Sequence, residues 1–286
     1  MIVFPNAKIN IGLRILGKRP DGFHELATAM VPVAWCDVLE LVPAASGRSS
    51  LTLSGNALAD ACPPEKNLVM KALRAVEEAV GRELPTDIYL RKIIPDGAGL
   101  GGGSADAAFT VRALDELYGL ALGQEQMAAI AASIGSDCPF FIYNRPMLAL
   151  GRGTDLSPVD ICLDGVEAIV IAKPRTDAVS TREAYAGAAP APLAPGEDLR
   201  LLLAEAPGRW ADCGVKNDFE HSIFPLRPAI AALKDRIKAA GAVYTAMSGS
   251  GAAVFGLFDC KKSAEALVKA LGDCQTFISD FPAAVR

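Results

Sequence analysis

Two histidines in 286 residues are too few for a His-rich metal centre. The cysteines Cys36, Cys62, Cys138, Cys162, Cys213, Cys260 and Cys274 form no C-x-x-C pair, and their number is odd. That rules against a zinc knuckle or a secreted disulfide framework and fits free thiols in a reducing cytoplasm. No apolar run approaches the roughly 18 residues of a membrane span, and no signal peptide stands ahead of Lys8. The expectation is a soluble, cytoplasmic chain with no membrane partner. Net charge is −5 and no basic stripe is present, which argues against a nucleic-acid partner. No Gly-Lys-Ser/Thr follows the glycine-rich stretch, so a Walker A loop is excluded. A hydrophobic content of 51% supplies a substantial core for one large domain or two smaller ones.

Five of the seven residues from Gly97 to Gly103 are glycine. A strand-like run, Asp87 to Ile94, leads in, and a helix-like run, Ser104 to Tyr118, leads out. Glycines admit positive φ and let a ligand approach the main chain. A helix opening directly after them aims free N–H groups and its positive dipole end at whatever sits there. The combination points to an anion site, most naturally for nucleotide phosphates. Gly97, Gly99 and Gly102 also match G-x-G-x-x-G, which keeps a dinucleotide-binding oxidoreductase open. Against it, Asp87 to Ile94 is half polar and reads as an antiparallel strand with one wet face, and no βαβ units repeat.

Elsewhere Ile9, Ile11, Leu13 and Ile15 alternate with Lys8, Asn10, Gly12 and Arg14. This is a strand with one buried and one polar face, so Lys8 and Asn10 point the same way. Glu65 to Val80 and Gln124 to Ile134 have helical spacing, and short strands fall at Leu51–Leu53 and Pro146–Leu150. The second half offers a continuous apolar strand at Val166–Ala172 and an Ala/Pro/Gly-rich loop at 186–196. A helix at Arg227–Ala240, strands at Val243–Met247 and Ala252–Phe258, a helix at Lys261–Leu271 and a strand at Thr276–Ser279 follow. That order suits a ferredoxin-like α+β sandwich.

Three segments carry a family resemblance: Pro5 to Leu13, the glycine loop through Ser104, and Met247 to Phe255. Together they resemble the motifs of the GHMP kinases, which phosphorylate small-molecule hydroxyls. Asp21-Gly22-Phe23-His24, the Gly-Leu-Gly-Gly-Gly-Ser form of the loop, Gly135 to Phe141 and Asn217 to Glu220 narrow the likeness. They resemble the branch that uses ATP to phosphorylate the 2-hydroxyl of 4-diphosphocytidyl-2-C-methyl-D-erythritol (CDP-methylerythritol) in the non-mevalonate isoprenoid route. Rival readings are a homoserine, mevalonate or sugar kinase, and a non-catalytic ligand sensor on the same fold.

The resemblance implies a two-domain α+β GHMP kinase fold. Residues 1–152 would be a ribosomal protein S5 domain 2-like ATP-binding domain, and 153–286 a ferredoxin-like one. It implies a phosphate cradle of Pro95, Asp96, Gly97, Ala98, Gly99, Leu100, Gly101, Gly102, Gly103, Ser104 and Ala105, with Asn67 and Lys92 lining the adenine pocket. Asp137 would be the general base and Lys8 its cationic partner. Asn10, Phe23, His24, Thr181 and Tyr185 would bind CDP-methylerythritol, Phe23 and Tyr185 bracketing the cytosine. The chemistry calls for Mg²⁺ with unassigned ligands. Ser104 at the helix start is a candidate ligand, but N-capping is the ordinary role of a Ser there and the favoured one. The chain would be a monomer or homodimer. It departs from the family pattern at Phe23, where Tyr is usual, at Ala252-Ala253, where Pro often stands, and at Ala105, where a second Ser is common.

Overall fold

The periodicities above become β1 (Ile2–Val3), β2 (Asn6–Lys18), β3 (His24–Cys36), β4 (Val38–Pro43), β5 (Ser50–Gly55), α1 (Leu68–Val80), β6 (Thr86–Lys92), α2 (Gly102–Tyr118), α3 (Gln124–Ile134) and α4 (Cys138–Tyr143). Then come β7 (Met147–Gly151), β8 (Asp155–Pro158), β9 (Ala168–Pro174), α5 (Thr181–Ala186), α6 (Leu199–Leu203), α7 (Trp210–Cys213), α8 (Phe219–Leu226), α9 (Pro228–Ala239), β10 (Tyr244–Met247), β11 (Val254–Phe258), α10 (Lys261–Ala270) and β12 (Cys274–Asp280). The computed structural model describes residues 1–55, 63–193 and 197–281. Cys62 and positions 194–196 of the Ala/Pro-rich loop lie outside them.

Contacts gather the chain into two units. Met1–Ala7, Trp35–Asp96 and Gly101–Arg145 form the first; Lys8–Ala34, Gly97–Leu100 and Pro146–Arg286 form the second. The sequence points to two contiguous segments instead, 1–152 and 153–286. The units are discontinuous because β2 and β3 share a sheet with β7 and β8, strands from far later in the chain.

In the first unit the sheet order is β1-β4-β6-β5. β6 alternates as expected, burying Thr86, Ile88, Leu90 and Lys92. It is antiparallel to β4 but parallel to β5. Helices α1, α2, α3 and α4 pack on one another. The helix expected from Glu65 starts late: Pro64–Lys66 make a 3₁₀ turn, and Asn67 then caps α1, its Oδ1 accepting from the Val69 N–H at 3.0 Å. Val69, Ala72, Leu73 and Val76 form the buried stripe of α1.

In the second unit the elements β9, α9, β10, β11, α10 and β12 run in βαββαβ order through the antiparallel sheet β12-β9-β11-β10. This is the ferredoxin-like arrangement. β9 is buried along its whole length, so it reads as a continuous apolar run. Val170, Phe258, Ile237 and Leu267 pack in its core beside Leu13, Ile15 and Phe219. β2 differs from expectation: Lys8, Asn10 and Arg14 are buried along with the apolar residues between them. Its polar side is covered from within the same unit, Asn10 by Ser248 and Arg14 by Asp218 and Glu197.

Candidate active site

The glycine loop is fastened by its carbonyls. Gly97 O accepts from Ala252 N at 3.1 Å, Ala98 O from Ala253 N at 3.1 Å, and Leu100 O from Lys8 N at 2.9 Å. Gly99 O accepts from the Ser248 hydroxyl at 3.0 Å. By contrast, the N–H groups of Gly97 to Ser104 donate to no protein acceptor among the described residues. The last four belong to the start of α2, where no intrahelical acceptor exists. Gly101 occupies the N-cap position at φ 70°, with no side chain to cap those donors. Unclaimed donors at the positive end of a helix dipole, as at Gly101 to Ser104, suit phosphate oxygens. Gly99, at φ 72°, lies so close to the Ser248 turn that a Cβ would stand 2.0 Å from Ser248 O. The mixed pairing of β6 is not the parallel sheet that a dinucleotide-binding fold requires, so that reading of the loop is dropped.

Both ends of the loop's scaffold in the first unit are tied to one ammonium. Lys92 Nζ, at the end of β6, ion-pairs with Asp37 and, at 2.7 Å, with Asp106 Oδ2 in α2. Asp37 Oδ1 also accepts from the Ile93 N–H at 2.5 Å and the Ile94 N–H at 2.8 Å, fixing the strand's exit into the loop. All three side chains are buried. A lysine at a strand end reads as solvated, but Lys92 lies on the buried face, where only pairing makes a charge tolerable. Two carboxylates share one ammonium, and Asp106 Oδ1 has no hydrogen-bond partner among the described residues. Burial pushes the Asp106 carboxyl up to about 8, Asp37 adding to the shift and Lys92 opposing it.

Lys8 and Asn10 do share a side of β2: Lys8 Nζ donates to Asn10 Oδ1 at 2.5 Å. Asn10 Nδ2 donates to Thr28 Oγ1 at 3.0 Å, and its backbone N–H to Ser248 Oγ at 3.3 Å. The Ser-Gly-Ser-Gly turn is held in turn by Asn217, whose Nδ2 donates to Met247 O at 2.7 Å and Gly249 O at 2.8 Å. Asp218 accepts from the Ile15 N–H at 2.9 Å, and Glu220 from the Met247 N–H at 2.8 Å. The Asn-Asp-Phe-Glu segment is thus a clasp that joins β2 to the turn beneath the loop. Hydrogen-bond spacing alone gives no sign of this, since the partners are distant in sequence.

In the first unit, Asp137 is at the N-cap position of α4, half-buried, with Pro139 in the helix's first turn. The first turn of a helix is where Pro fits without losing a hydrogen bond, so Pro139 starts α4 instead of breaking it. Ser104 is not a cap, because α2 begins at Gly102. Burial pushes the Cys138 thiol up to about 11, the Ser104 side chain opposing that shift. Asn67 caps α1, a role compatible with lining a pocket.

The Asp21–His24 turn joins β2 to β3 in the second unit. Phe23 N–H donates to Asp21 Oδ1 at 3.1 Å, and Arg19 pairs with Asp21 and Glu25. His24 stacks on Tyr185 with ring centroids 4.7 Å apart, and Tyr185 meets Phe219 edge-on at 4.9 Å. Phe23 is 49% exposed, with the Arg152 guanidinium 3.6 Å above its ring. Thr181 opens α5 and is exposed. Arg152, Thr28, Asp37 and Asp106 were not singled out by the sequence as site residues.

Comparison with known proteins gives two family matches: the GHMP kinases N terminal domain over residues 67–145 and the GHMP kinases C terminal domain over 192–275. The 4-diphosphocytidyl-2-C-methyl-D-erythritol kinase of Parabacteroides distasonis is 47% identical over 91% of this chain and 92% of its own length. That of Porphyromonas gingivalis is 40% identical over 99% of this chain and 100% of its own. A crystal structure of a 4-(cytidine 5'-diphospho)-2C-methyl-D-erythritol kinase superposes with TM-score 0.78 at 32% identity, covering 97% of this chain and 98% of that one. A homoserine kinase structure from Cytophaga hutchinsonii, at 19% identity and TM-score 0.70 over 96% of this chain and 93% of its own, shares the fold. The chain belongs to the GHMP kinases and, within them, to the 4-diphosphocytidyl-2-C-methyl-D-erythritol kinase family.

Proposed function

We propose that the protein transfers the γ-phosphoryl group of ATP to the 2-hydroxyl of CDP-methylerythritol, a step in non-mevalonate isoprenoid precursor synthesis. The observation that carries the reading is the row of unclaimed N–H groups from Gly97 to Ser104 at the start of α2. It suits the phosphates of a nucleoside triphosphate, and the activity named for the relatives supplies the acceptor.

In this reading Pro95 to Ala105 cradle the phosphates, Lys92 and Asn67 border the adenine, and Asp137 takes the acceptor hydroxyl's proton as the new P–O bond forms. Lys8 offers a fixed ammonium for charge developing during transfer, oriented by Asn10. Asn10 positions the acceptor hydroxyl. Phe23, His24, Tyr185 and Thr181 receive the cytidine end. Mg²⁺ bound with the nucleotide neutralises phosphate charge. Among the described residues no three His, Cys, Asp or Glu are grouped to hold a metal. Ser104 is the side chain nominated to stand beside the ion, its other protein ligands being unassigned. A cytoplasmic enzyme acting as monomer or homodimer belongs to the same reading; no described helix is long and apolar enough to cross a membrane.

The test is ADP release with CDP-methylerythritol, mevalonate, homoserine and galactose offered in turn. Turnover confined to CDP-methylerythritol is expected. Turnover with another acceptor and none with CDP-methylerythritol overturns the assignment.

A further inference from the structure

Phe23 and Arg152 are placed by sheet register. β3 pairs with β7 so that Leu26 faces Gly151, the last residue of β7. Beyond that pair the two strands run out into neighbouring hairpin tips, one carrying Phe23 and the other Arg152. The first tip is braced internally by the Asp21–Phe23 hydrogen bond, by Arg19 N–H donating to Phe23 O at 2.8 Å, and by the Arg19–Glu25 pair at 2.6 Å. Phe23 is nonetheless among the exposed large hydrophobic residues, at 49%. The contact recorded for its ring is with the Arg152 guanidinium, 3.6 Å from the centroid. This is closer than the other cation–ring contacts among the described residues, at 5.0 Å and 5.7 Å. Against its desolvation, the Asp21 carboxyl is held below the usual range by the Phe23 N–H and Arg19 first and by the Arg152 charge last. Arg152 therefore reaches from its own tip to the Phe23 ring of the other.

An exposed ring is free to swing between rotamers, and a base that stacks on it must first stop that motion. A planar cation on one face limits the ring and leaves the other face for an aromatic ligand. We infer that Arg152 is a positioning residue for acceptor specificity, holding Phe23 as a platform on which the cytosine of the acceptor stacks. The inference rests on the cytidine reading of the Asp21–His24 turn.

Calorimetric titration with CDP, in the presence of a saturating non-hydrolysable ATP analogue, tests it. Wild-type protein binds CDP. Arg152→Met weakens CDP binding about two- to fivefold, the worth of an exposed cation–π contact. Arg152→Lys, which keeps the charge but not the planar stack, falls between the two. Affinity for the ATP analogue, measured alone, is unchanged in both. In a Phe23→Ala background, Arg152→Met changes CDP affinity no further, because the ring through which it acts is gone. Circular dichroism and melting temperature confirm folding; the exposure of both side chains makes the substitutions tolerable. CDP affinity equal to wild type in Arg152→Met, or a loss that persists in full without the Phe23 ring, overturns the inference while the cytidine reading stands. No CDP binding by wild-type protein overturns both.

Discussion

A single methyl group on Gly99 tests whether the glycine loop is held as described. Gly99 sits at φ 72°, and its added Cβ would stand 2.0 Å from Ser248 O, 2.9 Å from Ser248 C and 3.1 Å from Gly251 N. These are backbone atoms, so no flexible side chain can swing aside. Left-handed backbone costs a non-glycine residue about 1–2 kcal/mol. Relieving the contact means moving Ser248, whose N–H donates to Ala253 O at 2.9 Å and whose O accepts from Gly251 N at 2.9 Å. Its hydroxyl also donates to Gly99 O at 3.0 Å. Overpacking of a tight site adds about 1–3 kcal/mol. Gly99→Ala should therefore lose roughly 2–5 kcal/mol in urea unfolding and bind an ATP analogue more weakly, because the loop carbonyls are no longer pinned. Gly22→Ala is the control. Gly22 has φ 85° with nothing within 4 Å of its added Cβ, so it bears the backbone cost alone. Equal losses in the two variants would refute the close packing of the loop on the Ser248 turn.

The sequence made the loop, the shared side of Lys8 and Asn10, and the βαββαβ order legible because each depends on local spacing. Strand alternation, helical periodicity and glycine-bounded turns are written within a dozen or so neighbouring residues. The interactions that assemble the site are not. Lys92 is paired with residues 55 and 14 positions away, and Asn217 with carbonyls 30 and 32 positions away. A lysine that alternates with apolar residues looks the same whether its side of the strand meets water or two carboxylates. Asn10 falls on the polar side of its strand and Lys92 reads as an adenine-pocket residue, yet both side chains are buried and Lys92 is held by two carboxylates that its own spacing does not announce. The start of α2 was placed two residues late because glycines are poor helix formers and mask a boundary. That shift alone makes Ser104 a residue of the first turn instead of the cap. Helix α4 was missed because Pro139 reads as a breaker unless the helix begins beside it.

Three further outcomes are expected. Asp137→Asn should fold normally and lose roughly 10²–10⁴-fold in kcat, the usual worth of a positioned base; activity within a few-fold of wild type removes Asp137 from that role. Phe23→Ala should raise KM for CDP-methylerythritol roughly 5- to 150-fold, on a stacking scale of about 1–3 kcal/mol, with KM for ATP little changed; an unaltered acceptor KM in a folded variant assigns Phe23 to packing. The third concerns pH. The Asp106 carboxyl is held near 8 in the fold by burial, with Lys92 opposing and Asp37 adding to the shift, against about 3.9 in an unfolded chain. Between those values the folded protein keeps a proton that the unfolded chain has released, so stability falls as pH rises, by at most about 1.4 kcal/mol per pH unit for one group. The contribution is fully present below about pH 4 and is lost by the time pH passes about 8. Asp106→Asn places a permanently neutral group of the same shape beside Lys92, which keeps Asp37 as its partner. Its urea midpoint should therefore decline less than that of wild type between about pH 6 and pH 8. Loops, thiols and surface charges titrate alike in both proteins and cancel in the comparison. Parallel declines in the two would mean that Asp106 is ionised in the fold at neutral pH. The buried cluster would then carry an unbalanced negative charge beside the first turns of α2.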